Sequence, residues 1–386
     1  GTSFANGAQL SYRFVEPLAN PSTLKSVPKM LLSANSPLGL RLRPNLNQMR
    51  WILAFLASCA PYRSRQGSAT LLATASLSRD TLNQWIDDDG LGLAIQRNGK
   101  LVLCPDQASL AHQAAQLEMQ KDGKASSMLL GRMACIEREP ALSTYHDFVG
   151  GVWTESECSV DPFLYCKALV EAALAHGTTT RWSTTVNRFV VRNKQVTALE
   201  TSGGEVIADA YVLATGIHAP RLGLQLGEYL PIEAIKGYSM TLNFKPNTRL
   251  PSVSVTDLKH KTVLAPLNGR LRVAAMAELG HTDLDISGRR LEQIRSTVEA
   301  IYPGLCDFND FDAWAGLRPA TPDSLPLVRQ SRISNVFLNV GHGALGLTLA
   351  SGCAVQVCEA IHQARLGQLT FAYGPSPTTA NLRPRL

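Results

Sequence analysis

No Cys-x-x-Cys pair occurs among the eight cysteines, which stand singly at 59, 104, 135, 158, 166, 306, 353 and 358. That removes the usual zinc and dithiol signatures, and no metal site is expected. Scattered single thiols in a chain of 386 residues suggest a reducing compartment. No run of lysine and arginine is long enough for a nucleic-acid arm, and the formal charge of +6 is spread among 31 acidic residues. Nucleic acid is therefore not an expected partner. Long apolar runs are scarce too. The longest, "WILAFLASCA" from Trp51 to Ala60, is far too short to span a bilayer. No signal-peptide pattern stands ahead of it, and Gly1 replaces an initiating Met, so a natural N-terminus upstream is expected to be missing. The densest basic patch is "RLRPNLNQMR", Arg41 to Arg50. It reads as a solvated loop, or as a surface drawn to an acidic membrane or partner.

What is present is a mixture of helix and strand signals. "NLNQMRWILAFLAS" predicts a helix with Asn45 as a candidate cap, and a second helix is expected from Leu77 to Asp88. "LGLAIQRNGKLVLC" has two β-like runs around Asn98-Gly99, a hairpin signal. Gln107 to Lys121 has helical apolar spacing. In "VDPFLYCKALVEAALAHG", Asp161 can cap, Pro162 fits the first turn and Gly177 fits the exit. A β-meander follows and ends in "YVLATG"; Pro231 to Met276 is again β-rich. "RRLEQIRSTVEAIYPG" is an amphipathic helix, and the tail from Gly374 is expected to be extended or frayed. The mixture predicts an α/β core plus an antiparallel sheet in a second domain.

Four stretches can carry chemistry. In "NVFLNVGHGALGLTLASG", Gly341, Gly343 and Gly346 stand in G-x-G-x-x-G spacing between a strand and a helix. A nicotinamide site would need an acidic residue about 20 positions later, yet no Asp or Glu follows Glu359. The motif is thus either a plain strand-to-helix turn or a place where backbone N–H groups approach a ligand. In "DAWAGLRPATPDSLPLV", Arg318 can fork onto a ligand carboxylate or pair structurally with Asp323. "ADAYVLATGIHAP" ends a buried strand at Thr215-Gly216, either for a flat ligand or as an ordinary terminus. Tyr238 in "IKGYSMTL" points into a pocket or is a sheet tyrosine.

Together with "TSFANGAQLSY", these segments in this order resemble the FAD-dependent D-amino acid oxidase superfamily, and within it the small subunits of bacterial D-amino acid dehydrogenases. The similarity runs over almost the whole chain, and the GLRPxTPD and GHGxLG segments are its specific part. The resemblance implies a Rossmann-like FAD-binding domain lacking its first βαβ unit, from residues 1–14, 146–226 and 307–372. It implies an antiparallel-sheet substrate domain from 15–145 and 227–306, with 373–386 as a tail. FAD is the implied cofactor, held by Ser3, Asn6, Gly7, Val186, Thr215, Gly216, Gly341, His342, Gly343, Ala344, Leu345, Gly346 and Thr348. Without the glycine-rich unit that opens such chains, these residues are expected to hold FAD weakly. Arg318 and Tyr238 are the implied carboxylate-binding pair, with His342 beside the flavin or simply a satisfied buried histidine. The implied reaction is oxidative deamination of a D-amino acid, with electrons passed to a quinone or other electron-transfer partner. Placement would be cytoplasmic, or peripheral on the inner membrane's cytoplasmic face. A related oxidase or dehydrogenase of hydroxyproline, sarcosine or glycine type stays open, as does a non-catalytic remnant.

Overall fold

The computed structural model describes residues 1–24, 36–119 and 127–366. The first half contains β1 (Gln9–Leu10), β2 (Leu38–Leu40), α1 (Leu46–Ser58), α2 (Pro61–Asp87), β3 (Lys100–Cys104) and α3 (Gln107–Met119). It continues with β4 (Ser127–Gly131), α4 (Arg132–Arg138), β5 (Gly150–Thr154), β6 (Cys158–Ser159) and α5 (Pro162–Ala175). The second half adds β7 (Val186–Arg192), β8 (Gln195–Thr201), β9 (Gly204–Val206), β10 (Tyr211–Leu213), α6 (Ala219–Gln225), β11 (Glu233–Phe244) and β12 (Ser254–Asp257). Then come β13 (Thr262–Leu267), β14 (Arg270–Leu279), α7 (Gly288–Ile301), β15 (Cys306–Ala320), β16 (Leu327–Gln330), β17 (Val336–Val340) and α8 (Gly346–Arg365).

A nine-stranded sheet dominates, in the order β15-β11-β14-β13-β12-β3-β5-β4, with β2 added alongside β14. Most of its pairs are antiparallel. Its strands alternate faces, so successive side chains of β11 serve two different neighbours. Tyr238, Met240 and Leu242 enter the main core, closed by Ile294, Val298 and Ile301 of α7. The opposite face carries the N-terminal loop, where the Ser239 hydroxyl donates to the Ala5 carbonyl at 2.6 Å.

A smaller sheet, β10-β17-β16, pairs β10 and β17 in parallel with Leu213 opposite Leu338. Their C-terminal ends therefore lie side by side. The β7-β8-β9 meander packs on it through Phe189 and Val196. α8 runs back against α2, β1, β16 and β17. The stretch Gly343–Arg365 is long and apolar enough, by length and composition, to cross a membrane. Its Leu349, Cys353 and Val357 are buried against the neighbouring elements.

Several local expectations stand as read. Asn45 caps α1 by accepting from the Asn47 N–H, and Asp161 caps α5 by accepting from Phe163 and Leu164. Others change. The expected hairpin at Asn98-Gly99 does not form: Gly99 turns the chain at φ +72°, but the run before it makes only a bridge from Gln96 to Ser159. β3 instead pairs with β5 and β12, which are distant in sequence. The helix expected from Leu77 is the second half of α2, which begins at Pro61. The expected domain boundaries at 145/146 and 306/307 cut across the large sheet, because β5 and β15 are hydrogen-bonded members of it. The tail lies outside the described residues.

Candidate active site

β15 carries Arg318 and ends at Ala320, which bridges to His342 of the glycine turn. The arginine thus stands two residues from that turn, on the face of the large sheet shared with Ser239. Its setting depends on a bulge. Lys236 pairs with Glu278 and Tyr238 with Ala275, so Gly237 alone faces both Met276 and Ala277 of β14. Met276 adopts φ +69°, unusual for a residue with a side chain. That conformation turns its carbonyl toward the arginine, and Arg318 Nη1 donates to it at 2.9 Å. The guanidinium lies flat over Gly237: a Cβ there would stand 2.5 Å from Arg318 Cζ. Burial lowers the Arg318 pKa, yet an arginine stays charged. No carboxylate among the described residues pairs with it, and Asp323 instead accepts from the Leu325 N–H. The structural Arg318–Asp323 pair is not formed.

Tyr238 is not brought to this face. Its phenol donates to Glu278 Oε2 at 3.0 Å within the main core, with Lys236 over its ring. Burial, then the Glu278 contact, raises its pKa. Alternation along β11 explains the difference: Gly237 and Tyr238 are neighbours in sequence and face opposite ways. The arginine's companions are Gly237 and Met276, which the sequence reading missed. A glycine inside an otherwise β-forming run was the available signal of close approach.

The glycine turn leaves β17 at Gly341 with φ +82° and passes Gly343 at φ +54°. A Cβ on Gly341 would stand 2.6 Å from Thr321 Cγ2, so this position has no room for a side chain. His342 is largely buried, and that burial lowers its pKa to about 4, leaving it neutral at pH 7. Gly343, Ala344 and Leu345 form a short 3-10 turn, and α8 then starts at Gly346 with no side-chain cap. Thr348 is occupied otherwise, its hydroxyl accepting from the Ser11 N–H at 3.1 Å.

That bond ties the turn to the N-terminal loop. Asn6 Oδ1 accepts from the Ala8 N–H at 2.9 Å, and the Asn6 carbonyl accepts from Arg272 at 3.2 Å. Gly7 lies against Val263 and Ala274, and Ser3 is exposed. Thr215 and Gly216 follow β10, beside the start of the glycine turn. Gly216 has φ +54°, and the buried Thr215 hydroxyl has no protein partner. Val186 stands apart at the start of β7, its carbonyl accepting from Arg221 at 3.4 Å.

A family model described as FAD dependent oxidoreductase matches residues 1–360. The chain belongs to that family. It is 38% identical to D-amino acid dehydrogenase 2 of Pseudomonas aeruginosa, covering 100% of this chain and 89% of that one. It is 31% identical to D-amino acid dehydrogenase of Vibrio vulnificus, covering 91% and 84%. Among solved structures it resembles glycine oxidase from Geobacillus kaustophilus (TM-score 0.68, 20% identity, 76% and 79% covered). It also resembles L-alpha-glycerophosphate oxidase from Mycoplasma pneumoniae with FAD bound (TM-score 0.68, 16% identity, 94% and 85% covered). These two likenesses establish the fold.

The residues present fit the flavin of this FAD dependent oxidoreductase family. The orphaned Thr215 hydroxyl, the positive-φ glycines and the uncapped start of α8 converge beside the Arg318 face. Partial positive charge at a helix N-terminus suits an electron-accepting ring that gains negative charge.

Proposed function

We propose that this chain oxidatively deaminates D-amino acids to 2-oxo acids and ammonia. The observation that carries the reading is Arg318: a largely buried cation tethered by one backbone carbonyl, with no carboxylate paired to it among the described residues. A buried charge without a partner is costly, so the position calls for an anionic ligand. A substrate carboxylate supplies it, and the planar guanidinium fixes its orientation through two parallel bonds. When bound, FAD supplies the two-electron acceptor for the Cα hydride. Residues Thr215, Gly216, Gly341–Gly346, Asn6 and Gly7 would hold it. The amine must be neutral to release hydride, and the resulting imino acid is hydrolysed by water. Arg318 thus acts by positioning, which fixes Cα–H without requiring a protein base. His342, neutral at this turn, adds no charge to the substrate side. Tyr238 has no part in this arrangement. Electrons leave to a quinone or another non-oxygen acceptor, with the protein peripheral on the cytoplasmic face of a membrane.

Arg318→Ala in the flavin-loaded enzyme tests the reading. A charge-assisted bond contributes about 1.5–3 kcal/mol, and a fork makes two of them. kcat/KM for D-amino acids is expected to fall by on the order of 100-fold or more. Arg318→Lys should recover only part of this, since an ammonium keeps charge but loses the fork. Amines lacking the carboxylate should be poor substrates of the parent and insensitive to the change. An equal loss on both substrate types would remove Arg318 from the binding site.

A further inference from the structure

α1 is apolar on two sides, and only one of them is covered. Its inner side carries Trp51, Ile52 and Phe55, which pack on Ile235, Ala320, Ala277 and Leu279. Its outer side exposes Leu46, Met49, Leu53 and Leu56, with Leu42 just ahead of the helix. Within the helix, the spacings of three, four and three residues put Leu46, Met49, Leu53 and Leu56 on one stripe. Leu42, Leu46 and Leu53 are each more than 60% exposed. Single exposed leucines are ordinary, but a continuous stripe along a whole helix marks a contact surface.

Charge identifies the occupant. Between Glu16 and Asp80 the sequence contains no acidic residue, while Lys25, Lys29, Arg41, Arg43, Arg50, Arg63, Arg65 and Arg79 fall in that interval. Arg43 is engaged with Glu233 and Arg79 with Asp80. Arg41, Arg50, Arg63 and Arg65 are exposed around the stripe. We propose that the outer face of α1 docks on the surface of an anionic lipid bilayer, with its leucines in the interface and these arginines among the headgroups. An exposed apolar helix face set in an acid-free, arginine-bearing stretch is the form of an interfacial helix. A protein partner would need a matching groove, whereas a bilayer accepts any convex helix. The stripe from Leu46 to Leu56 is about 15 Å long, short of a span and suited to lying flat.

The docking deepens the peripheral-contact part of the reading above and rests on that part alone. It also has a geometric consequence. The Trp51 indole N–H donates to the Ala320 carbonyl at 2.8 Å, two residues from Arg318. The docked helix is the same helix that covers the Arg318 end of the site, so a bilayer-dissolved acceptor would meet the enzyme there.

Cosedimentation of the flavin-loaded protein with vesicles tests the proposal. One vesicle set holds phosphatidylglycerol and phosphatidylethanolamine in equal parts, and the other phosphatidylcholine alone. The parent should pellet with the anionic set, be released by high salt, and bind the neutral set far more weakly. Leu53→Asp with Met49→Asp should lower the anionic-vesicle partition by about tenfold or more. Arg41→Glu with Arg50→Glu should do the same. Both pairs are exposed, so circular dichroism and activity with a water-soluble dye should match the parent. If the parent binds and the variants bind equally well, the α1 assignment fails while peripheral attachment survives. If the parent binds neither vesicle, both fail. If the parent self-associates in sedimentation velocity, and Leu53→Asp abolishes only that, a second copy occupies the stripe and the proposal is overturned.

Discussion

His342 is a charge decision made by position. The sequence placed it inside a glycine turn and left open a flavin-tuning residue or a buried imidazole. The structure gives it little solvent and, among the described residues, no acidic neighbour that favours a charge, so burial holds its pKa at about 4 against an ordinary 6.5. Between those values the unfolded chain binds a proton that the folded chain refuses. Stability therefore declines as pH falls from 6.5 toward 4, and is level above 6.5 with respect to this group. A shift of this size corresponds to roughly 3 kcal/mol across the window. Replacing the ring with a neutral side chain, His342→Gln, should flatten that part of the pH dependence. Urea midpoints at pH 7 and pH 5 measure it. An unchanged pH slope in the variant would mean that His342 titrates near its ordinary value. The imidazole's local environment could not be read from the sequence. It depends on the bridge from Ala320, 22 residues earlier.

At the scale of elements, helices were the most legible part. Caps at Asn45 and Asp161 act over three residues, so local spacing suffices to find them. Strand partners were not legible, since pairing is settled by residues far apart. The Asn98-Gly99 turn signal was real at Gly99, but β3 found better partners in β5 and β12 than in its own flank. The bulge between β11 and β14 is the element-level feature on which the proposed Arg318 site rests. Gly237→Ala tests it. The added methyl would meet the guanidinium, the far end of a flexible side chain, rather than backbone. The arginine can therefore swing away, and stability should change by only about 1 kcal/mol. Leaving Gly237 pulls the fork off the substrate position. kcat/KM for carboxylate substrates should drop by roughly 10- to 100-fold with KM rising. A thermal scan and substrate kinetics on the same preparation separate the effects. Lost stability with unaltered KM would show that Gly237 serves the sheet and not the arginine.

For the whole molecule, the family and its late glycine motif were legible because their segments recur in a fixed order. How they meet in space was not. Three pieces proposed to face the cofactor, the 1–8 loop, the Thr215–Gly216 turn and the Gly341–Gly346 turn, come from the two ends and the middle of the chain and from two different sheets. The direct ties among them are few. The Ser11 N–H to Thr348 bond and the Ala320–His342 bridge run beside these pieces rather than between them, and the buried Thr215 hydroxyl has no hydrogen-bond partner among the described residues. A cofactor that touches all three would act as the missing tie, stabilising the folded state by its binding free energy. At free FAD 100 times its dissociation constant, the gain is about 2.7 kcal/mol. The gain should be local as well as global. Hydrogen exchange should slow at 1–8, 215–218 and 341–348, with little change in β4 and β5 at the far edge of the large sheet, where opening is governed by their own pairing. Exchange measured with and without FAD, alongside thermal unfolding, checks both parts. Uniform slowing across the chain, or protection confined to one of the three segments, would mean that FAD does not bridge them.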